Sequence, residues 1–401
     1  MVGHFCVASD EIALVDRNCH KSVLHGLVLS GARPVYLVPT RNGYGLVEPP
    51  ASRRPRCGRH RRPHRRQPLA QGAVSPTPPY AIVTNSTYDG LCYDAVHVTR
   101  DLAASTPRLH FDEAWFAYAR FHPLYTHRYA MSVDGQILPD EQRPTLFSTQ
   151  STHKLLAALS QSAMVHIRTS PRAPVAPEHF NEAFMMHATT SPLYPAIASL
   201  DVAAGMMDGP PGPLARRRSG HRSHPLPPGH GPHRHPHRSG RRPPGLVLRD
   251  LAAPHGHRPR HQGRAHLRRR PPADLLRTEP SCWQLQPDAA WHGLPGLSQG
   301  YCMLDPIKVT LTCPGLDARG QWSERGIPAR ILTAYLATRN ILVEKTDSYT
   351  ALVLFSMGIT KGKWGTLLDA LMDFKALYDA DTPSRTSCPP SSPAIRAATR
   401  A

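Results

Sequence analysis

The chain has 401 residues, enough for two or three domains, and a formal net charge of +19. That charge is concentrated in two arginine-rich tracts, 51–67 and 209–278. The remainder is near neutral and slightly acidic, which excludes a protein that is basic over its whole surface. No apolar run approaches the ~20 residues of a membrane span. The start, MVGHFCVASDEIALVD, lacks a basic segment followed by an apolar core, so neither an anchor nor a secretory signal is expected.

In chain order, IALV (12–15) predicts a short apolar strand. DRNCHK follows as a loop. Ser22 is placed to cap a helix with Val23, Leu24, Leu27 and Val28 as its apolar positions. Gly31 and Pro34 end that helix before a second strand, VYLV (35–38), and a strand–helix–strand unit implies a parallel pair. Residues 51–67 (ASRRPRCGRHRRPHRRQ) then carry eight arginines and no acid. Beyond them AIVT (81–84) runs into NSTYDG, LHF (109–111) ends in Asp112, and TLFST (145–149) ends in QSTHK; AMVHIR (163–168) reads as another strand. Polar motifs therefore recur at strand ends. Ligands of open α/β sheets bind in the crevice outside the carboxyl ends, so His20, Asn85, Asp112 and Lys154 are expected to converge there.

Residues 209–278 hold sixteen arginines, no lysine, two aspartates (Asp250 and Asp274) and no Phe, Tyr or Trp. Such a composition does not bury enough apolar surface to offset its ordering entropy. Three readings apply. One is a nucleic-acid-binding arm, although the aromatics that stack bases are missing. Another is a disordered linker. The third is out-of-frame translation of a GC-rich gene, which yields Arg, Pro, Gly and His and accounts best for both tracts. The histidines at 221–237 lack a folded frame and are excluded as a metal site. From 281 a second α/β unit is expected, with a strand at 307–312, an amphipathic helix at 327–340, strands in ILVEKT (341–346) and ALVLFSMG (351–358), and a helix at 363–380. Eight cysteines without a CxxC pair read as reduced thiols, hence a cytoplasmic protein.

One stretch points to chemistry. In QSTHKLL (150–156) a lysine directly follows Ser151, Thr152 and His153 at a strand end. An amine flanked by small hydroxyls and an imidazole is a candidate covalent catalyst rather than a solvated charge. With a carboxylate and an imidazole in the same crevice, it suits an aldehyde cofactor whose ring nitrogen needs an acid beside it. The surrounding motifs carry a resemblance. VDRNCHKS (15–22), TNSTYDGLCYDA (84–95), HFDEAWFAYARFHPLY (110–125), QSTHKLLAALSQ (150–161), FNEAFMMHATTSPLYPAIAS (180–199), YCMLDPIKVT (301–310) and LFSMGITKGKWGTLL (354–368) are similar to the Orn/Lys/Arg decarboxylases, a family of fold-type I pyridoxal 5'-phosphate (PLP) enzymes. FDEAW, ARF and MMHATTSPLY are closest in flavour to its arginine-specific members.

The resemblance implies an α/β fold: an aminotransferase-like fold-type I large domain over 1–207, aberrant at 51–67 and incomplete because the family has a wing domain and the first part of the PLP domain before it. The Arg/Pro/His-rich segment would cover 208–280, a smaller C-terminal α/β domain 281–382, and a patternless tail 383–401. It further implies that Lys154 forms the imine with the cofactor, Asp112 pairs with the pyridine nitrogen, His20 stacks on the ring, Ser151 and His153 hold the phosphate, and Trp115 packs nearby. Thr190 and Ser191 resemble the segment that reaches a neighbouring subunit, which implies a homodimer or a larger assembly of dimers. The implied reaction is decarboxylation of a small basic amino acid, arginine favoured, consuming a proton and so serving acid resistance. In a chain interrupted by these tracts, activity is expected to be impaired. Asp305 and Glu344 are the candidates to hold the substrate's far cation. Each residue also has an ordinary alternative: Asp112 as a helix cap or surface acid, His20 as a turn histidine, Ser151 and His153 as caps, Trp115 as core. The competing function is a non-catalytic basic protein binding nucleic acid through its arginine tracts; otherwise neither nucleic acid nor membrane is an expected partner.

Overall fold

The computed structural model describes residues 1–47, 68–207, 249–250, 279–287, 289–294, 296–323 and 326–380. The expectations for 51–67, for nearly all of 209–278 and for the tail lie outside these residues. In the first part, helix α1 (Val2–Cys6) precedes strand β1 (Ile12–Asp16), helix α2 (Lys21–Ser30) and strand β2 (Arg33–Leu37). Strands β3 (Tyr80–Thr84) and β4 (Leu91–Tyr93), helix α3 (Ala95–Ala103) and strands β5 (Arg108–Asp112) and β6 (Thr145–Gln150) follow. Helix α4 (Thr152–Leu155), strand β7 (Met164–Arg168) and helices α5 (Pro177–Met185) and α6 (Tyr194–Met207) complete it.

One six-stranded sheet organises this part, in the order β2-β1-β3-β5-β6-β7. All pairs are parallel except β6 with β7. The expected layout therefore changes at the last strand: the 151–163 connection contains only a four-residue helix, too little for a parallel crossover, so the chain turns back on itself. Both faces are covered. Along β1, Ile12 and Leu14 enter one core cluster while Ala13 and Val15 enter another, and this two-sided burial is why the strand reads as an unbroken apolar run. The strand order reverses between β1 and β3, which leaves a crevice at their carboxyl ends.

The second part has a four-stranded antiparallel sheet, β11-β12-β10-β8, from β8 (Arg249–Asp250), β10 (Lys308–Thr312), β11 (Lys345–Thr346) and β12 (Thr350–Leu354). Helices α7 (Ala329–Thr338) and α8 (Lys361–Asp379) pack on it through Leu332, Tyr335, Leu336, Leu367 and Phe374. The strand expected over ILVEKT is shorter. Ile341 donates its N–H to Leu336, closing α7 through the left-handed Asn340 at φ 57°, so these residues serve the helix end. Residues 285–304, grouped by sequence with the second part, join the core of the first: β9 (Cys302–Leu304) pairs with β4, and Leu285, Leu294 and Tyr301 pack beside Phe111 and Leu146.

Candidate functional site

The crevice is built first by Asp16, the last residue of β1 and fully buried. Its carboxylate accepts from the N–H groups of Asn18 (2.8 Å) and Thr84 (3.2 Å), and the Thr84 hydroxyl donates to the Asn18 carbonyl (3.2 Å). The loop after β1 is thereby tied to the end of β3. His20 lies at the end of this loop and caps α2, in the place expected for Ser22. Its Nδ1 accepts from the Ser22 amide (3.3 Å) and lies 2.9 Å from the Ser22 hydroxyl. His20 is both a cap and a residue of the crevice. Burial raises the carboxyl of Asp16 to about 6, against its amide bonds.

Asp112 closes β5, in register with Thr84 of β3 and Thr149 of β6. Burial pushes its carboxyl above the usual carboxylate range; the Ala114 N–H at 3.2 Å and the nearby charges of His20 and Lys154 push back. Lys154 projects from the short α4, where burial lowers its ammonium and the charge of Asp112 opposes that effect. Its Nζ lies 5.3 Å from the centre of the Trp115 ring, a cation–π distance. Asp112, His20, Lys154 and Trp115 are thus brought together by the ends of three parallel strands. Ser151 precedes α4, but its hydroxyl does not cap that helix. His153 donates Nδ1–H to the Ser162 carbonyl at 2.7 Å, and its Nε2 has no hydrogen-bond partner among the described residues. Between them the buried Thr152 hydroxyl has no hydrogen-bond partner among the described residues. A buried carboxylate, a desolvated amine and spare hydroxyl and imidazole groups on one turn form a donor set that fits PLP. A cleft of about 630 Å³ lies elsewhere, lined by His4, Leu29, Arg108, His179 and Met186, and none of these site residues lines it.

Sequence reasoning passed over Glu113. It is fully buried, and its carboxylate accepts from Ala130 N–H (2.7 Å), Ser148 hydroxyl (2.6 Å) and Gln150 Nε2 (3.2 Å). Burial still raises its carboxyl to about 7, against those three donors and helped by Asp112. The folded chain therefore holds a proton on Glu113 between about pH 4.5 and pH 7 that the unfolded chain has released, and stability falls as pH rises through that window. His110, lowered to about 3 by burial, acts in the opposite sense below its ordinary value, so wild-type stability alone does not isolate Glu113. The difference between wild type and Glu113→Gln does. It is expected to shift against the wild type by on the order of 3 kcal/mol from pH 4.5 to 7. Denaturant unfolding at several pH values checks this, and a pH-independent difference contradicts it.

A second group joins the two parts of the chain. Asp305 and Lys308, from the LDPIK segment, are both buried. Asp305 accepts from the hydroxyls of Tyr118 and Tyr125, the latter at 2.8 Å, and from Ile307 N–H at 3.2 Å. Glu344 is exposed and accepts from the Tyr88 hydroxyl at 2.6 Å; the Tyr88 ring lies 5.2 Å from Trp115. Of the two acids offered for the substrate's far end, Asp305 is occupied inside the protein and Glu344 is open. Neither Tyr88 nor Lys308 was singled out by sequence: Tyr88 stands in a motif that reads as a turn, and Lys308 in the strand expected at 307–312. Among the described residues no cluster of three or more potential metal ligands occurs, and no helix is long and apolar enough to cross a membrane.

Comparison with known proteins bears on the family and the fold. The family model for the Orn/Lys/Arg decarboxylase major domain matches residues 1–219 and 261–363. The lysine decarboxylase LdcA of Pseudomonas aeruginosa is 44% identical over 387 residues, covering 96% of this chain and 48% of that protein. The biodegradative arginine decarboxylase of Escherichia coli is 39% identical over 388 residues, covering 94% and 49%. The solved structure of lysine decarboxylase A from Pseudomonas aeruginosa superposes with a TM-score of 0.78 at 40% identity, over 98% of this chain and 49% of that one. The Escherichia coli constitutive lysine decarboxylase gives 0.74 at 36%, over 96% and 48%. The chain spans about half the length of the relatives it matches. Enzymes of this family use PLP, and the fold is that of fold type I. A crevice at the strand-order reversal, its polar residues and the length of the match lead to one conclusion: the chain belongs to the Orn/Lys/Arg decarboxylase family.

Proposed function

We propose that this chain carries the cofactor-binding and catalytic centre of a PLP-dependent decarboxylase acting on a basic amino acid. The observation that carries this reading is the meeting of Lys154, Asp112 and His20 at the carboxyl edge of the parallel sheet, beyond β6, β5 and β1. When bound, PLP supplies an electron sink for the bond to the α-carboxylate. Lys154 Nζ, desolvated and resting near an indole, provides the nucleophilic amine. Asp112 holds a proton at the pyridine nitrogen, and the charges of Lys154 and His20 favour its ionised form. His20, its orientation fixed by Ser22, would cover the cofactor's ring. The Ser151 hydroxyl would donate to a phosphate oxygen, and His153 would do so through Nε2–H with both ring nitrogens protonated, Nδ1–H remaining on the Ser162 carbonyl. Trp115 and Tyr88 wall the crevice and exclude water.

The far cation of the substrate is received by Glu344. One of its oxygens, Oε1, already accepts from Tyr88, and the other has no hydrogen-bond partner among the described residues. A guanidinium favours both oxygens at once, whereas an ammonium is a point charge satisfied by one. This geometry, with the 44% identity to a lysine decarboxylase, supports lysine ahead of the arginine expected from motif flavour. Arginine is the second reading, favoured by FDEAW and MMHATTSPLY. Ranking kcat/KM for lysine, arginine and ornithine tests the choice. Lysine is expected first, and Glu344→Gln is expected to raise KM at least tenfold while changing kcat little. Arginine ranked first, or an unchanged KM in the variant, overturns this assignment.

The active unit is proposed to be a dimer. Thr190 and Ser191 lie in an exposed stretch flanked by the exposed apolar side chains of Met186, Leu193, Tyr194 and Ile197, a patch of the kind that a second copy covers.

A further inference from the structure

Two motifs, NSTYDG and LDPIK, meet beside Trp115, at residues given no part in holding the cofactor. The Lys308 side chain is buried, and its Nζ donates to the Ser86 hydroxyl at 2.7 Å and the Thr87 carbonyl at 3.3 Å. Asp305 lies 3.9 Å from the same Nζ and is itself held by Tyr118 and Tyr125. The backbone follows the side chains: Asp305 donates its N–H to the Gly90 carbonyl at 2.8 Å. Gly90 is at φ +84°, and a Cβ there would stand 2.7 Å from the Lys308 Cβ, so only glycine permits the approach. Further along the same loop, Lys345 reaches Asp89 at 2.8 Å and Glu344 holds Tyr88. Lys308 Nζ also lies 5.7 Å from the Trp115 ring centre, the indole that Lys154 approaches to 5.3 Å.

The cost of burying an ammonium indicates what this arrangement does. A lysine without a compensating anion in such a place would shed its charge. Lys308 keeps an acid within reach and spends its donors on the 85–90 loop rather than on solvent. It therefore fastens the loop to the second part of the chain at the point where Tyr88 turns toward Trp115 and Glu344. The geometry assigns Lys308 as a positioning residue: its buried ammonium sets the Tyr88–Trp115 wall along which the substrate's side chain lies. Lys308 touches neither cofactor nor substrate in this assignment; it acts through Ser86, Thr87 and Trp115. The assignment rests on the proposed function for what lies along that wall. The fastening itself does not.

The test has two arms on the full 401-residue chain. In the first, the unloaded protein is acetylated with acetic anhydride and each lysine is followed by mass spectrometry. Lys308 is expected to react at least fifty-fold more slowly than exposed Lys361, and Ser86→Ala is expected to speed it at least fivefold. Equal reactivity of Lys308 and Lys361 overturns the fastening. In the second arm, PLP is added and the half-saturating concentration of lysine is read from the change in the cofactor's visible band. Lys308→Met, and more mildly Ser86→Ala, are expected to raise it at least tenfold and threefold, respectively, with PLP affinity within about threefold of wild type. In combination with Tyr88→Phe the effects are expected to be markedly less than multiplicative, because one residue acts through the other. A variant that loses PLP affinity while keeping wild-type half-saturation, or effects that multiply fully with Tyr88→Phe, reduces Lys308 to a structural residue and overturns the proposal. Absence of a visible band in the unsubstituted chain counts against the proposed function, and the acetylation arm reports on Lys308 regardless.

Discussion

Lys154→Ala is expected to lose both turnover and the borohydride-stable cofactor adduct. The amine leaves a four-residue helix, burial lowers its pKa, and it forms no ion pair with any acid among the described residues. An unpaired, partly desolvated amine of this kind suits the nucleophile proposed above. The alanine variant removes the nucleophile while leaving the crevice built by Asp16, Asp112 and His20. PLP is then expected to bind reversibly, to wash out on dialysis, and to leave no label after reduction. The fall in kcat should be at least 10³-fold, the order associated with removing a covalent or electrostatic catalytic group. Dialysis, reduction and a carbon dioxide assay check the three parts separately. Label retained at wild-type yield in the variant would remove Lys154 from the site.

Asp112→Asn is the second large effect. The amide keeps the shape at the end of β5, including an acceptor for the Ala114 N–H, but cannot hold a proton at the ring nitrogen by charge. A fall in kcat of about 10²- to 10³-fold is expected, the size seen when one preorganised electrostatic group is deleted. PLP should still attach to Lys154. The variant should therefore separate attachment from turnover, which Lys154→Ala does not. Steady-state kinetics beside the visible band tests this, and a variant with wild-type kcat contradicts the role.

The legible part of this fold was local. Ile12–Asp16, Tyr80–Thr84, Arg108–Asp112 and Thr145–Gln150 are apolar runs with a polar residue at the carboxyl end, and each forms a strand near where the pattern places it. A parallel sheet collects its strand ends on one edge, which is why His20, Asn85, Asp112 and Lys154 were expected in one crevice; Asn85 is instead fully buried, its side-chain amide donating to the Arg128 carbonyl and accepting from the Tyr93 N–H. What escaped was non-local. The direction of β7 depends on how little helix lies between it and β6. The capping role of His20 instead of Ser22 depends on which side chain reaches the first free amides. Glu113 directly follows Asp112, yet the two carboxyls have different partners: Asp112 has its charged neighbours in the crevice, while Glu113 is met by Ser148, Gln150 and Ala130. No spacing rule separates them. Lys308 and Ser86 are 222 residues apart, and no local signal announces that a DPIK segment will meet an NST segment. A charged residue predicted inside an otherwise apolar stretch, as Lys308 is between Ile307 and Val309, is the one clue that sequence offers.

The central claim is that one amine among the chain's lysines is set apart by its surroundings. The chain is incubated with PLP, reduced with borohydride and digested, and the peptides are sequenced by mass spectrometry. The label is expected at Lys154 in near-stoichiometric yield. A label spread over exposed lysines such as Lys361 and Lys363, or found at Lys308 in preference to Lys154, would contradict the account.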